Sequence, residues 1–382
     1  MSMKRMLVWG WMLMLVLLSV GTVWASKPIR IGLMAPLTGP WASEGEEMKN
    51  IVELLAEGVN AHGGLLNCRI EVVLGDDGGD PKKVPLVAQR LVDQKVIAVI
   101  GSYTSGITEI AQGIYDKASI LHIATAATSI RLSKKGLKYF FRTCPRDDEQ
   151  EEKVAETIQK LGLKRVAILH DTTDYPRTLG AESRDLFKKM DMEVVFFDGM
   201  TPGGADCTEV LARMRKANPE VIFFTGYYPE AGILLREKKK MNWGIPVIGE
   251  DGTNNRELVE IAGKDAAAGY YFISAAIPKD LPYERTQAFI RNYKTKYGKE
   301  PGSIWAILAG DAFLNIRDAI RETNSTEVDK LEHYLHNRKP WYTTSGLTGD
   351  MNFDAQGDRI GDVYRLYRVD EAGNFVLQQE EE

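Results

Sequence analysis

The chain has 382 residues, a formal net charge of −5 at pH 7 and 44% hydrophobic residues, an ordinary composition for a globular protein. A single hydrophobic core rarely extends beyond about 250–300 residues, so the length predicts two lobes. The mild acidity argues against a nucleic-acid-binding protein, which needs clustered Lys and Arg to displace counterions from phosphates. The short basic runs at residues 134–135 and 238–240 are interpreted as solvated surface.

The N-terminus has the pattern of a secretory signal peptide. Lys4 and Arg5 precede a long apolar run, and Val23 and Ala25 place small side chains at the flanking positions of a cleavage site. We therefore expect residues 1–25 to be removed near Ala25 and the mature protein to be periplasmic. The alternative is an uncleaved membrane anchor, which the cleavage pattern disfavours, and no later stretch approaches membrane-spanning length.

From Lys27 onward, short apolar runs typical of strands alternate with segments of helical hydrophobic spacing. In the first half, strands are predicted at residues 29–35, 68–74, 96–100 and 120–124. The helices between them are predicted at residues 43–62, with Ser43 as the N-cap, 81–92 and 105–116.

The same alternation restarts after Arg142. Helices are predicted at residues 149–161, 179–190, 206–217 and 230–241, and strands at 165–170, 193–198, 221–225 and 246–249. Such apolar strands joined by amphipathic helices predict an α/β protein with two lobes, each with a parallel sheet covered on both faces. The last third differs, with three consecutive helices predicted at residues 281–297, 303–323 and 328–337. Short extended pieces follow and are expected to complete the lobes.

Ligands of open parallel sheets bind beyond the carboxyl ends of the strands. Three loops there are small and polar in the first half, at residues 36–40, 101–106 and 124–128. Ser105 offers a hydroxyl at a helix start, where free N–H groups favour an anion. We expect Thr128 and the amide of Ala126 to approach the same point, so these three residues are candidates for binding a carboxylate. The alternative is that Ser105 is only an N-cap and Thr128 only a turn residue.

The second half supplies polar side chains at equivalent strand ends. Tyr175, Tyr227 and Asp251 each follow a predicted strand. Asp251 is a candidate partner for an ammonium group, and Tyr227 for covering a ligand side chain. The alternative for a single loop acid is a solvated or capping role.

The sequence lacks common catalytic and metal-binding patterns. It contains no GxSxG, no P-loop lysine, no HExxH and no GxGxxG after a strand. His333 and His336 are three residues apart on a polar helix and are expected to be exposed. Cys68, Cys144 and Cys207 form no CxxC and allow at most one internal disulfide, whose pairing the sequence does not choose. We therefore expect a protein that is not an enzyme and has no metal and no cofactor.

Several motifs resemble one family. The run IGLMAPLTGP at residues 31–40 resembles the opening of the branched-chain amino acid binding proteins of ABC transporters. The same resemblance extends to Asp76-Asp77 with Asp80-Pro81, Val99-Ile100-Gly101, ATAAT at residues 124–128 and GYYPE at residues 226–230. It covers residues 27–370 and is carried by the order and spacing of the motifs.

The resemblance implies a type I periplasmic binding protein, in which two Rossmann-like lobes are joined by three hinge crossovers. The crossovers would lie near residues 143–146, 275–278 and 352–355. The N-terminal lobe would then comprise residues 26–144 plus 276–353, and the C-terminal lobe residues 145–275 plus 354–382. By position, the resemblance implies that the ligand carboxylate is held by Ser105, Ala126 and Thr128, and the ammonium group by Asp251. It places on the pocket wall Glu44, Tyr103, Thr104, Tyr175, Tyr227 and Ser303.

This chain departs from the family at the pocket wall. Glu44 stands where relatives carry a Tyr, Ser303 replaces an aromatic residue, and Tyr103 is bulkier than the usual aliphatic residue. The disulfide pair of the family aligns with Gly79 and Thr104, so that bridge is missing. Fewer apolar walls and an extra acid disfavour a plain leucine or isoleucine pocket, leaving open a polar or cationic amino acid, an amide or an aromatic acid. Alternatively, Glu44 simply begins its helix beside the predicted cap.

The function expected from these observations is that of an extracytoplasmic solute-binding protein. It would capture an amino-acid-like ligand by hinge closure and deliver it to a membrane ABC permease, acting as a monomer without nucleic-acid partners. One alternative is a ligand-sensing module for a receptor or kinase. Another is an enzyme on the same fold, which would need a nucleophile–base pair at the cleft.

Overall fold

The computed structural model describes residues 27–204, 206–338, 344–361 and 363–378. The predicted signal peptide, residues 1–25, lies outside the described residues. Within the described part of the chain, no helix combines the length and the apolar character needed to cross a membrane.

The N-terminal lobe is built on a five-stranded sheet in which every neighbouring pair of strands is parallel. The order across the sheet is β2-β1-β3-β4-β5. Its strands are β1 (Ile29–Ala35), β2 (Ile70–Asp76), β3 (Ala98–Ile100), β4 (Leu121–Ala124) and β5 (Phe140–Arg142). The helices between them are α1 (Ala42–Ala61), α2 (Val84–Asp93) and α3 (Ser105–Lys117). Leu33 and Met34 of β1 point to opposite faces of the sheet and are both fully buried, as expected for a strand covered on both faces.

The C-terminal lobe is built on a seven-stranded sheet in the order β14-β13-β10-β9-β8-β6-β7. The strands from β10 to β7 are parallel, and β13 and β14 add an antiparallel edge. The strands of this lobe are β6 (Arg165–Asp171), β7 (Glu193–Met200), β8 (Val221–Thr225), β9 (Val247–Gly249), β10 (Tyr271–Ala275), β13 (Tyr364–Val369) and β14 (Phe375–Leu377). Its helices are α4 (Asp147–Lys160), α5 (Asp174–Lys189), α6 (Thr208–Lys216), α7 (Tyr228–Lys240), α8 (Glu257–Ala262) and α9 (Lys264–Ala267).

Three helices of the last third return to the N-terminal lobe: α10 (Glu284–Tyr297), α11 (Ile304–Thr323) and α12 (Val328–His336). The first half of α11 is buried on every side, which identifies it as a core helix. It packs along α1, and Tyr297 of α10 donates a hydrogen bond to the Asn50 carbonyl at 3.0 Å. A small antiparallel pair follows, β11 (Thr344–Gly346) and β12 (Gly349–Met351).

The chain contacts the first sheet once more before entering β13. The Arg142 amide donates to the Gly357 carbonyl at 2.9 Å, and Arg359 Nη1 donates to the Thr143 carbonyl at 3.3 Å. The predicted lobe boundaries stay predictions, and this segment lies beside the third predicted crossover.

The strand registers bring the functional loops of each lobe to one edge. In the first sheet, Leu33 pairs with Ile100, and Ile100 with Ile123, so β1, β3 and β4 end close together. In the second sheet, His170 pairs with Thr225, and Phe224 with Gly249. These two edges face each other, which creates a cleft between the lobes.

Local predictions fail where a single side chain was assigned a capping role. Helix α1 begins after Trp41, and Ser43 lies inside its first turn, so the predicted Ser43 cap is wrong. The cap of α3 is Thr104, whose hydroxyl accepts a hydrogen bond from the Ile107 amide at 3.4 Å. Ser105 is therefore the first helical residue.

The sequence pattern also missed some short elements, namely β5, β10, β14, α8 and α9. Elements of three to six residues carry too few positions for a periodicity to be seen. All three cysteines are free. Burial raises the pKa of the Cys144 thiol to about 12 and that of the Cys207 thiol to about 11, so both are protonated at neutral pH.

Candidate functional site

The edge of the N-terminal lobe presents a set of buried hydroxyls. They follow the carboxyl ends of β3 and β4, and within the described residues they have no hydrogen-bond partner: Ser102, Thr125, Thr128 and Ser129. Ser105 Oγ lies beside them and accepts a hydrogen bond from the Ser129 amide at 3.3 Å. Buried polar groups are normally satisfied, so this cluster indicates a place for a polar ligand or water.

Arg142 at the end of β5 fixes the loop that carries these hydroxyls. Its Nη1 donates to the carbonyls of Ala127, Thr128 and Ser129 at 3.2, 2.8 and 2.9 Å. Its Nε donates to Asp358 Oδ1 at 2.6 Å, so the buried guanidinium is paired. Because Arg142 takes up the loop carbonyls, the hydroxyls remain for a ligand.

The edge of the C-terminal lobe carries two adjacent acids after β9, Glu250 and Asp251. Glu250 accepts hydrogen bonds from the amides of Gly226 and Gly252 at 3.0 and 2.6 Å, so it organises two loops. Asp251 accepts a hydrogen bond from the Tyr364 hydroxyl at 2.8 Å, and it shares the Tyr175 hydroxyl with Glu250, at 3.0 Å from Asp251 Oδ1 and 2.9 Å from Glu250 Oε2. Burial raises the pKa of both carboxyls, and the negative charge of Asp251 adds to the rise at Glu250.

Asp147 joins the two edges and was missed by the sequence analysis. It is the first residue of α4, and its amide donates to the Thr128 carbonyl at 3.1 Å. The side chain is buried, and Oδ1 has no partner among the described residues. Burial raises the pKa of Asp147 well above its usual value, and the nearby charge of Asp251 raises it further. The neighbouring Thr128 hydroxyl lowers it, although the two groups do not meet the geometry of a hydrogen bond. The available signal was an acid directly after the first predicted crossover.

Gln150 adds a further link that the sequence did not indicate. Its Oε1 accepts a hydrogen bond from the Asp251 amide at 2.7 Å. Helix α4 thereby holds the Asp251 loop and presents Asp147 on the same turn.

An aromatic wall, defined as Trp41, Tyr103 and Tyr227, lines the space between the edges. The Trp41 ring centroid lies 4.6 Å from that of Tyr227 and 6.1 Å from that of Tyr103. Tyr175 extends this surface, with its centroid 6.1 Å from Tyr227. Trp41 lies over Gly79, where a Cβ would stand 2.5 Å from the indole Cζ3. Trp41 was not predicted from the sequence, although an aromatic residue after a strand-end loop was the available signal.

A polar wall, defined as Glu44, Asn255 and Ser303, closes another side. Asn255 Nδ2 donates to Glu44 Oε1 at 2.6 Å, and Ser303 Oγ donates to Glu44 Oε2. Burial raises the pKa of Glu44 to about 8, although both hydrogen bonds lower it. Ser303 also caps α11, accepting a hydrogen bond from the Ala306 amide at 3.2 Å.

The lobes are in contact across the cleft, as in a closed conformation. Arg131 of the N-terminal lobe pairs with Asp174 and donates to Thr178 Oγ1 at 3.0 Å, both on α5. On the opposite side, Tyr228 Oη lies 3.2 Å from Ser43 Oγ and donates to the Pro40 carbonyl at 3.1 Å. The Asn255–Glu44 contact also crosses between lobes.

Most predicted site residues lie around this cleft. Ser105 and Thr128 are at the N-terminal edge, with Ala126 half-buried in the same loop, and Asp251 is at the facing edge. Tyr103 and Tyr227 belong to the aromatic wall, with Tyr175 beside them, and Glu44 and Ser303 belong to the polar wall. Thr104 differs, because its hydroxyl is used as the cap of α3. Among the residues that the structure describes, no three His, Cys, Asp or Glu side chains are grouped to hold a metal ion.

The geometry defines a two-lobed protein with a polar cleft between the lobes, and comparisons with known proteins agree. The model of the periplasmic binding protein family matches residues 28–374, and the chain belongs to this family. The leucine-, isoleucine-, valine-, threonine- and alanine-binding protein of Pseudomonas aeruginosa is 30% identical over 345 residues, covering 90% of each chain.

Solved structures show the same architecture. A leucine-binding protein, LivK, from Thermotoga maritima superposes with a TM-score of 0.83 and 25% identity, covering 92% of this chain and 98% of that one. The branched-chain amino acid transporter substrate-binding protein LivJ from Streptococcus pneumoniae, in complex with isoleucine, has a TM-score of 0.81 and 28% identity. The match covers 92% of this chain and all of LivJ. The predicted family and the two-lobed α/β fold with parallel central sheets are therefore confirmed.

Proposed function

We propose that this protein is the extracytoplasmic solute-binding component of an ABC transporter and that it captures an α-amino acid between its lobes. One observation carries the proposal: unpartnered hydroxyls at one strand edge face buried acids at the other. An α-amino acid presents a carboxylate and an ammonium group on neighbouring atoms, which such a pair of edges complements.

The carboxylate would bind at the N-terminal edge. Ser105 and Thr128 supply hydroxyl donors, the loop of Ala126 supplies a backbone amide, and the start of α3 supplies a favourable dipole end. Hydroxyls and main-chain amides can hold a carboxylate without an arginine, since several donors share the charge.

The ammonium group would bind between Asp251 and Asp147. Asp251 is already oriented by two tyrosine hydroxyls, and Asp147 has an unpartnered oxygen. A cation placed there would offset the burial that raises the pKa of both acids and the charge of Asp251 that raises the pKa of Asp147 further, so binding would ionise them. The ammonium group of the ligand would thus act as the positive partner of the two acids.

Closure follows from the placement of these groups on different lobes. The N-terminal edge can bind the carboxylate while the lobes are apart, and Asp251, Tyr175 and Tyr227 contribute only when they meet. Ligand binding then favours the closed state by its differential affinity, and the permease would recognise the closed shape. We propose cleavage of the signal peptide near Ala25, a monomeric protein, and hinges near the three predicted crossovers.

We propose that the cleft binds and does not catalyse. The hydrogen bond of Ser105 Oγ is with the Ser129 amide, which suits a binding hydroxyl. A reactive serine would require a base oriented toward that oxygen.

The relatives guide the ligand panel, because their names specify leucine, isoleucine, valine, threonine and alanine. Protein stripped of ligand by unfolding and refolding is titrated with amino acids by calorimetry, and mass spectrometry identifies what co-purifies with the native protein. We expect a bound α-amino acid and a weaker interaction in Ser105→Ala by about tenfold, as for one lost hydrogen bond to a charged group.

Asp251→Asn should weaken binding by about 100-fold, since it removes the charge facing the ammonium group. The matched control is Asp265→Asn, an exposed acid of α9, which should bind as the unmodified protein does. Unchanged affinity in both Ser105→Ala and Asp251→Asn would show that the amino acid binds elsewhere.

A further inference from the structure

The polar wall differs from the rest of the cleft because its polar groups contact one another. Glu44 on α1, Ser303 before α11 and Asn255 before α8 meet through the two hydrogen bonds to the Glu44 carboxyl. Glu44 is 1% exposed and Ser303 is 4% exposed, and Asn255 is half-buried. Three separate segments of the chain therefore converge to place a carboxyl inside the protein.

The polar wall also lines a groove between the lobes. The groove has a volume of about 580 Å³ and is lined by all three residues of the polar wall, together with Lys294 and Glu257. Glu44 lies in the helical turn that follows Trp41 of the aromatic wall, because its amide donates to the Trp41 carbonyl at 3.1 Å. Its charge also contributes to raising the pKa of Tyr103.

Both contacts within the polar wall are donated to Glu44. With a pKa of about 8, the carboxyl is mostly protonated at neutral pH, and its own proton has no acceptor in these two contacts. A neutral carboxyl in this setting is a hydrogen-bond donor, as an acid kept neutral by burial can be.

A second buried donor points to the same chemistry. Trp41 Nε1 is buried and has no partner among the described residues, and Trp41 is 8% exposed. Its Cε3–Cζ3 edge meets Gly79, so Nε1 lies on the opposite edge of the ring. An indole N–H can only donate, so a ligand atom that satisfies it must be an acceptor.

We propose that the side-chain end of the cleft takes a neutral hydrogen-bonding side chain, a hydroxyl or a carboxamide, and that Glu44, held by Ser303 and Asn255, selects it over an aliphatic one. The proposal rests on the proposed function, because it assumes that an α-amino acid is bound with its head group at Ser105, Thr128 and Asp251. An aliphatic side chain would cover the Glu44 and Trp41 donors without bonding them, and burial without a partner is unfavourable.

Two isosteric pairs of amino acids test the class directly. Threonine is compared with valine, and asparagine with leucine, by calorimetry on the ligand-free full-length mature protein. Sites built to hydrogen-bond a substrate discriminate strongly against analogues that lack the group. We expect the polar member of at least one pair to bind tenfold or more tightly, at about 1.4 kcal/mol per factor of ten.

Substitutions at the polar wall test the residue. Glu44→Leu should reverse the ranking within each pair, and Glu44→Gln, which keeps an amide donor of the same shape, should preserve it. The control is Glu46→Leu, an exposed residue two positions along α1, which should leave the ranking unchanged. Glu44→Gln also separates a change in specificity from a failure of Glu44→Leu to fold.

The possible results separate this inference from the proposed function. Two results would overturn this inference and leave the proposed function in place. One is tighter binding of valine and leucine than of threonine and asparagine. The other is that lysine or arginine, which are included in the panel, bind most tightly. An unchanged ranking in Glu44→Leu overturns the role of Glu44. Failure of every amino acid to bind overturns both the inference and the proposed function.

Discussion

The two ends of the cleft are constructed differently. The end that would hold the head group consists of strand-end loops, and its hydroxyls and the Asp147 carboxyl oxygen are unpartnered within the described residues. The end that would hold the side chain consists of the polar wall, whose residues are already hydrogen-bonded to one another. The first end is therefore prepared for a charged group from outside, and the second for a neutral group that joins an existing contact.

This difference follows from how each end is positioned. The register of parallel strands fixes the head-group end, because the loops after β3, β4 and β9 begin where their strands stop. The polar wall depends on tertiary packing of α1, α8 and α11. We expect substitutions at the head-group end to affect every amino acid, and substitutions at the polar wall to affect ligands selectively.

The largest effect is expected at Asp147, and it tests whether the head-group end acts on every ligand. Asp147→Asn should weaken every amino acid ligand by about 100-fold, because it removes a buried charge opposite the ammonium group. Calorimetry on several amino acids measures this, with the exposed Glu152→Gln on the same helix as the control. A loss confined to one amino acid, or a change under about threefold, would assign Asp147 to structure and not to the head group.

A second effect concerns pH and the polar wall. The folded-state pKa of Glu44, about 8, lies above 4.5, the usual value for a solvated glutamate, so the folded state holds the proton more tightly. The contribution of this proton to the free energy of unfolding is complete below pH 4.5 and is lost as the pH rises through about 8. The slope is at most about 1.4 kcal/mol per pH unit.

Glu44→Gln should remove this part of the pH dependence. Chemical denaturation of the ligand-free protein at a series of pH values measures the slope in both forms, with Glu46→Gln as the control. Identical slopes for the unmodified protein and Glu44→Gln would contradict a neutral Glu44.

The smallest effect is expected at the rim of the cleft. Arg131 pairs with Asp174 across the lobes, but its side chain is 26% exposed and that of Asp174 is 46% exposed. Exposed ion pairs contribute about 0–1 kcal/mol, so Arg131→Ala should weaken binding by no more than about fivefold. The difference should shrink as salt is added, since salt screens the pair. A loss of about 100-fold that salt does not change would instead place Arg131 among the ligand contacts.

The sequence predicted the head-group end better than the polar wall. Ser105, Thr128 and Asp251 could be placed because strand periodicity locates carboxyl ends, and the structure brings them to facing edges. Their contact with a ligand stays a prediction. Asp147 was missed because β5 is only three residues long and gives no periodic signal to mark the loop that follows it.

The polar wall could not be derived from local patterns. Glu44 was noted as unusual, but its partners Ser303 and Asn255 lie more than 200 positions away along the chain. The error at Ser43 has the same origin. A cap was assigned from residue type, whereas Ser43 contacts Tyr228 of the other lobe. Trp41 lies over Gly79, where the resemblance places one half of the missing disulfide, so an aromatic ring now fills that space.

The most direct test of the account compares the tightest-binding amino acid with two analogues that each lack one charge of the head group. These are its methyl ester, which removes the carboxylate charge, and its α-deamino acid, which removes the ammonium group. Titrations followed by calorimetry should show both analogues weakened by about 100-fold or more, because each leaves one edge of the cleft without its partner. Binding of either analogue within about threefold of the parent amino acid would contradict a cleft that holds a zwitterion between the hydroxyls of one lobe and the acids of the other.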